Sequence, residues 1–535
     1  MTGPRESRES GARPETPAGL TDNAAVLQRT SLLVIAVWAA CFVGRGVADA
    51  PFQPDGWFEA GSAATIAAET TFVNPLGRVG ILLADGSVNT AGHPFFAPTG
   101  TNGRGCVTCH QPAGGMSVSV DMLRARWRAT GGADPIFAAI DGSNNPSLPQ
   151  DQERSHSLLL DRGLFRVGLP WPPRPIAGEP VRPEFTIEVV SDPTGVNLDP
   201  VWGMASPAPT VSVFRRPRPA ANLRYVMSPD GVINIKLGEL MAVDPETGTA
   251  VGMNMMADAR HLTLKQQAVD AYEQHQQGVR GLESAELASI VAFENQVYMA
   301  QAVDRFGLPL ASPGGPIGLG PRAMLEGRAS VLANNARDPV FRLFDTWRDG
   351  GSDLPGVADD VRAFRASVAR GNDIFMFRQF WIRDVTHINT VGLGNPIRRS
   401  CSTCHNAQMT GLDLAPGWVD LGTTNYPTWT ESAVFSATAE LPVFRITCRP
   451  TASPHPFLGR TIYTTDPGRA LITGRCADVG SITMQQFRGL AARAPYFVNG
   501  SAKNLRELVD YYDRRFDMKL TEQDKVDLVS FLSVL

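Results

Sequence analysis

Cys106-Val-Thr-Cys109-His110 and, far downstream, Cys401-Ser-Thr-Cys404-His405 decide how this chain is read. C-x-x-C-H is the attachment signature of c-type haem. The chemistry sets the spacing. Two thiolates add to the two vinyl groups of one porphyrin, and the adjacent histidine is carried beneath the ring as an iron ligand. A redox C-x-x-C or a zinc knuckle would account for the cysteines, but neither gives a reason for a histidine directly after each pair, twice. Two covalently bound haem c groups are expected, attached at Cys106, Cys109, Cys401 and Cys404, with His110 and His405 on the irons.

Haem of this type is attached outside the cytoplasm, and the N-terminus agrees. Residues 32–44 (LLVIAVWAACFVG) form an apolar run between Arg29 and Arg45, short for a membrane span and suited to a signal-peptide core. Ala48-Asp49-Ala50 supplies small residues before a cleavage point, so 1–50 reads as a signal peptide and the mature chain as periplasmic. An uncleaved anchor is the competing reading. Lipidation at Cys41 is a weaker one, since Trp38 precedes Ala39-Ala40 unfavourably and the apolar run continues past the cysteine. No other segment reads as a stable membrane span. Two cysteines remain, Cys448 and Cys476, and in an oxidising compartment a leftover pair is most simply a disulfide. Metal binding or sulfur ligation of a haem are the alternatives.

The 535 residues exceed what one core usually supports, and 43% apolar with 19% charged residues suits a globular chain rather than a disordered or multi-span one. The formal charge of −4 carries no basic footprint for nucleic acid. Each haem motif is followed, after an insertion, by two helical patterns. In the first half these are Leu264–Gln277 and Ser284–Ala300, and in the second Leu505–Phe516 and Thr521–Leu535, the last opening with the capping-box-like Thr521-x-x-Asp524. The expected fold is therefore mainly α: two cytochrome c-like haem domains, over 51–305 and 361–535, joined by a linker over 306–360 whose 306–323 stretch is rich in Gly and Pro. The insertion from about 165 to 260 reads as short strands and Pro-rich cover, with an alternating segment at Phe185–Val190 and a turn at Asp230-Gly231.

Helical periodicity also nominates further iron ligands. On Leu505–Phe516 the face Leu505, Leu508, Val509, Tyr512 and Phe516 points to the core, and Tyr511 lies off it. Tyr512 can reach the second iron as a phenolate or be a core tyrosine with another partner, and Met484 and Met518 are rival ligands. On Leu264–Gln277 the corresponding position falls near Ala271, too short to ligate, which leaves a site for peroxide or oxygen. His275, Gln267 or Gln277 could then shuttle protons there, and His275 could instead be a structural histidine or a sixth ligand. Six of the eight histidines lie outside the motifs, so other ligands such as His93, His156 or His387 stay open.

Ala494-Pro495-Tyr496-Phe497-Val498-Asn499-Gly500-Ser501, then Leu505, Tyr512 and LTEQDKVDLVSFL, resembles the bacterial di-haem cytochrome c peroxidase/MauG superfamily. The likeness is strong over 361–535, with Arg370-Gly371 ahead of the second motif, and fair over 100–300. In that family the residue fourteen places after the histidine of an APYxH motif ligates the buried second haem, as methionine in the peroxidases and tyrosine in the MauG branch. Counting from Val498, the resemblance selects Tyr512. It likewise makes Gln267 similar to the peroxidase active-site glutamine. Gln277 then stands where the family has its glutamate; a glutamine cannot be a general acid, so His275 or Glu273 would have to serve.

Three further departures stand out. Val498 replaces the motif's histidine, and Met227-Ser228-Pro229-Asp230-Gly231 replaces the W-D-G that holds the tryptophan between the haems, with Trp171, Trp202 or Tyr225 as substitutes. The family's calcium sits between the two halves on backbone carbonyls near Pro495; this chain has no clear match for its asparagine ligand, and the resemblance leaves calcium open as a further cofactor.

The resemblance implies a periplasmic oxidoreductase of the peroxidase class, its first haem reacting with hydrogen peroxide and its second relaying electrons. The reductant would be a small cytochrome c or cupredoxin, or residues of a partner protein; tyrosine ligation favours the latter, as suited to a high-valent store. A non-enzymatic electron-transfer cytochrome, and a di-haem oxygenase acting with O₂ on an apolar substrate, are the competing readings.

Overall fold

The computed structural model describes residues 56–174, 181–227, 255–326, 343–351, 357–386, 388–390, 392–405, 418–426 and 438–535. The expected export segment, Cys41, His387 and the expected turn at Asp230-Gly231 lie outside them. Among the described residues 32% are helical and 19% are in strands that form several sheets. The expected mainly α pair of cytochrome c-like domains is therefore wrong.

Among the described residues six helices have eleven or more residues: α1 (Val120–Thr130), α2 (Leu264–His275), α3 (Ser284–Gln296), α4 (Asp359–Phe377), α5 (Leu505–Phe516) and α6 (Glu522–Leu532). None of the described helices is long and apolar enough to cross a membrane. The longer strands are β1 (Glu69–Asn74), β2 (Gly77–Leu83), β3 (Phe165–Pro170), β4 (Phe185–Ser191), β5 (Thr210–Arg215), β6 (Val297–Val303), β7 (Val443–Cys448) and β8 (Thr461–Thr464).

The excess of strand has local causes. β1 and β2 form a hairpin that periodicity did not single out, closed where Gly77 takes φ +131 and a side chain would strike the Val303 carbonyl. The helix expected to run to Ala300 stops at Gln296. The chain continues as β6, whose Val297–Ala300 is buried against β2; β-branched and aromatic residues suit that covered pleat. In the insertion, β3 pairs with β5, and β4 alternates buried Phe185 and Ile187 with exposed Thr186 and Glu188. β4 then joins β7, β8 and the short strand Asn425–Tyr426 in one antiparallel sheet. Cys448 and Cys476 are disulfide-bonded beside it, Cα–Cα 5.8 Å.

The helices close around the motifs. α4 crosses α6 at Gly371, where an added Cβ would lie 2.0 Å from the Asp527 carbonyl. The neighbouring Arg370 donates twice to the buried Asp527 carboxylate, at 2.8 Å each. Thr521 caps α6 and Asp524 completes the capping box, as the sequence led one to expect. The Gly/Pro-rich run 306–323 packs inward at Leu310 and Leu319, both buried in the core of the second half.

Candidate cofactor sites

The two motifs fold alike. Cys106–Thr108 and Cys401–Thr403 are single 3-10 turns with nearly equal flanking dihedrals, Cys109 at φ −106, ψ −17 and Cys404 at φ −107, ψ −20. In each the histidine N–H donates to the first cysteine's carbonyl at 3.1 Å. A phenylalanine lies tilted against each histidine, Phe95 at 6.4 Å from His110 and Phe375 at 6.3 Å from His405. Each of these rings packs on a phenylalanine of the closing helix, Phe293 on α3 or Phe531 on α6.

The second motif opens on a largely apolar cleft of about 1460 Å³, solvent at its mouth included. Cys401, Cys404 and His405 lie in its wall with Leu421, Val498, Leu508 and Leu532. The Tyr512 ring stands 6.3 Å from His405, nearly perpendicular at 84°. Met484 and Met518 also line this cleft, so both rivals stay within the wall. Tyr511, buried although off the expected face, donates its hydroxyl to the Leu421 carbonyl. Burial and the neighbouring Tyr511, Cys404 and Cys401 hold the Tyr512 phenol well above its ordinary pKa.

The first motif opens on a cleft of about 1140 Å³ lined by Cys109, His110, Asp141, Gln267, Ala271, His275 and Glu294 among others. His110 donates Nδ1–H to the Met116 carbonyl at 3.1 Å, which leaves Nε2 as the ligating nitrogen. Burial, offset in part by that bond, lowers its pKa and keeps it neutral, as a ligand must be. Burial pushes the thiols of Cys106, Cys109 and Cys401 up to about 12. A redox C-x-x-C needs the opposite shift. Among the described residues no three His, Cys, Asp or Glu side chains gather as a metal site. Both cysteines and the histidine of the second motif line its largely apolar cleft, and Cys109 with His110 line the first, an arrangement that fits a porphyrin, which brings most of its iron's ligands itself.

His275 and Gln267 thus meet at the first cleft, and Gln277 does not line it. The residue beside it, Gln276, donates to Cys106 Sγ at 3.4 Å. His275 Nδ1 bonds Asp141 at 2.7 Å, and the buried Asp141 is clamped in turn by Arg104. Glu273 is absent from the cleft wall. The remaining described histidines are engaged elsewhere: His156 with two carbonyls, His261 with Asp270, His455 with Asp420, and His93 at the Phe95 amide. Trp171, Trp202 and Tyr225 line neither cleft.

Sequence reasoning missed Glu294. It is 5% exposed, its Oε2 has no hydrogen-bond partner, and desolvation pushes its pKa up to about 8. The signal was there. Leu287, Ile290, Val291 and Glu294 form one stripe on α3, a single carboxylate at an apolar position.

α2 and α5 are both twelve residues long and side-chain capped at the same point, by Thr263 and Asn504, so their positions correspond one to one. Gln267 then matches Leu508, Ala271 matches Tyr512, and His275 matches Phe516. Through Phe293 and Phe531, Glu294 matches Leu532. All eight line their clefts. No family model, curated protein or solved structure matches the chain.

Proposed function

We propose that the chain is an exported di-haem c oxidoreductase, similar to the di-haem peroxidases and MauG, in which hydrogen peroxide reacts at the first cleft while the second relays electrons. The observation that carries this reading is the exchange of four matched positions: Tyr512, Leu508, Phe516 and Leu532 around His405 give way to Ala271, Gln267, His275 and Glu294 around His110. One cleft is furnished with an oxygen donor, Tyr512, beside its histidine and with apolar sides. The other offers space and groups that exchange protons. The bonded Cys448–Cys476 pair accords with the oxidising compartment in which haem c is attached.

A haem bound there supplies an iron that accepts peroxide and exchanges single electrons. The chain supplies the rest. His110 is fixed through Nδ1 by the Met116 carbonyl, so its Nε2 stays aimed and neutral. Glu294, kept protonated near neutral pH by desolvation, can donate a proton within the cleft. Asp141, held by Arg104, orients His275 and leaves Nε2 as the atom that takes up or releases a proton. Gln267 can orient an oxygen but not protonate it. The reductant is a small cytochrome c or cupredoxin, or side chains of a partner protein.

The test is mass spectrometry with electron paramagnetic resonance on the exported protein. Two added tetrapyrroles are expected, with one high-spin and one low-spin ferric signal and optical changes at both centres on adding peroxide. Two low-spin signals inert to peroxide would reject the enzyme reading in favour of a plain electron carrier.

A further inference from the structure

Arg216 and Arg493 are buried and Arg218 is half-buried, and none has a carboxylate within ion-pair reach among the described residues. Arg216 donates to the carbonyls of Gly163, Val118 and Arg493 at 3.1, 2.5 and 2.9 Å. Arg218 donates to the Thr483 carbonyl and hydroxyl and to the Met484 carbonyl. Arg493 reaches the Gln485 side chain at 3.3 Å and the Gln486 carbonyl, and its Nε finds no partner. The nearby Arg215 shows what the three lack, being ion-paired with both Asp258 and Asp466. Desolvation lowers the pKa of all three, to about 9 for Arg216 and about 10 for the other two, and repulsion from Arg493 adds to the shift at Arg216 and Arg218.

Buried cations without anions cost several kcal/mol each, so an anion belongs here. Position names its source. Arg216 and Arg218 line the first cleft, Arg493 lines the second, and Gln486 lines both. The cations therefore form the partition between the two candidate haem sites, and each haem carries two propionate carboxylates.

We infer that Arg216, Arg218 and Arg493 are a shared carboxylate-binding partition that pairs with propionates of both haems and tunes their reduction potentials separately. This rests on the di-haem reading. Arg218 serves the first haem and Arg493 the second.

The experiment is spectroelectrochemistry of the haem-loaded protein and of Arg218→Gln and Arg493→Gln, with haem attachment checked by mass spectrometry. Removing a cation stabilises the ferric state. Each variant should lower the reduction equilibrium constant of its own haem about tenfold, a fall of about 59 mV, and leave the other nearly unmoved. Arg218→Lys and Arg493→Lys, which keep the charge, should restore most of the shift. Redox-difference infrared spectra of the unaltered protein with isotope-labelled propionates should show ionised carboxylates only, which tests the pairing even if a variant fails to fold. Unmoved potentials with both haems attached, a protonated-acid band, or potentials that respond to added phosphate or acetate would overturn the arginine assignment alone. Absence of any added tetrapyrrole would overturn the di-haem reading beneath it.

Discussion

Glu294→Gln should flatten the pH dependence of this protein's stability. The side chain is fully desolvated, its Oε2 is unpartnered, and its carboxyl is raised from 4.5 to about 8 by burial alone. Each unit is worth about 1.4 kcal/mol, so up to about 5 kcal/mol separates its ionised and neutral forms in the folded chain. Between about pH 4.5 and 8 the folded state keeps a proton that the unfolded state has released. Stability must therefore fall as pH rises through that window and level off above it. Glutamine keeps the shape and cannot ionise. Urea unfolding of both proteins from pH 5 to 9 isolates the residue, because every other titrating group cancels in the difference. The variant should gain on the wild type steadily up to about pH 8. Parallel curves would show that Glu294 is ionised in the folded state throughout, and the proton-donor role would fall with that result. The same titration governs reactivity: peroxide consumption by the wild type should drop above about pH 8, while the variant is slow at every pH.

Tyr512→Phe should alter only the low-spin signal, and Ala271→Tyr should convert the high-spin centre to a second low-spin one and cut peroxide reactivity at least tenfold; an unchanged spectrum in either removes the matched-helix assignment. Gly371→Ala forces a Cβ to within 2.0 Å of the Asp527 carbonyl, backbone against helix, so a loss near the top of the roughly 1–3 kcal/mol range for overpacking is expected in thermal melts. An unshifted melting temperature would mean that α4 and α6 do not cross that closely. Replacing Cys448 and Cys476 by serine opens a loop of sequence separation 28 and should cost about 3–4 kcal/mol by urea titration, with both haems still attached.

Legibility followed the length and strength of each signal. The common turn of the two motifs, α5 from Leu505 to Phe516 and the Thr521 cap were readable, because a repeated five-residue motif and a 3.6-residue periodicity leave local marks. The sheets were not. The β1–β2 hairpin is held by its pairing with β6, over two hundred residues away, and nothing local announces that partner. At Gln296 the apolar run continues unbroken from helix into strand, so periodicity extended the helix to Ala300 while tertiary pairing ended it. Glu294 was visible as a polar interruption but unreadable as a cavity acid until α3 was packed. The Gln277 position failed for a different reason: counting along a related sequence assumes that α2 continues, and here it ends at His275.

The four exchanged positions explain why one chain would keep two similar centres. A centre closed by a tyrosine and walled by leucines exchanges electrons with little rearrangement, because no ligand enters or leaves and no proton must follow. A centre that binds an oxidant needs the opposite: an open face, a proton donor, and a group that takes the proton back. Placing both sets of residues around one iron would let Glu294 or His275 protonate a phenolate ligand and release it. On the di-haem reading, separating them across the partition of Arg216, Arg218 and Arg493 would keep acid chemistry at His110 and electron storage at His405. On that reasoning the double exchange Ala271→Tyr with Glu294→Leu should be more stable than either single change in the first cleft, since it restores the second cleft's own pairing. If the double variant instead loses stability additively, with no coupling in a double-mutant cycle, the two clefts do not share one design.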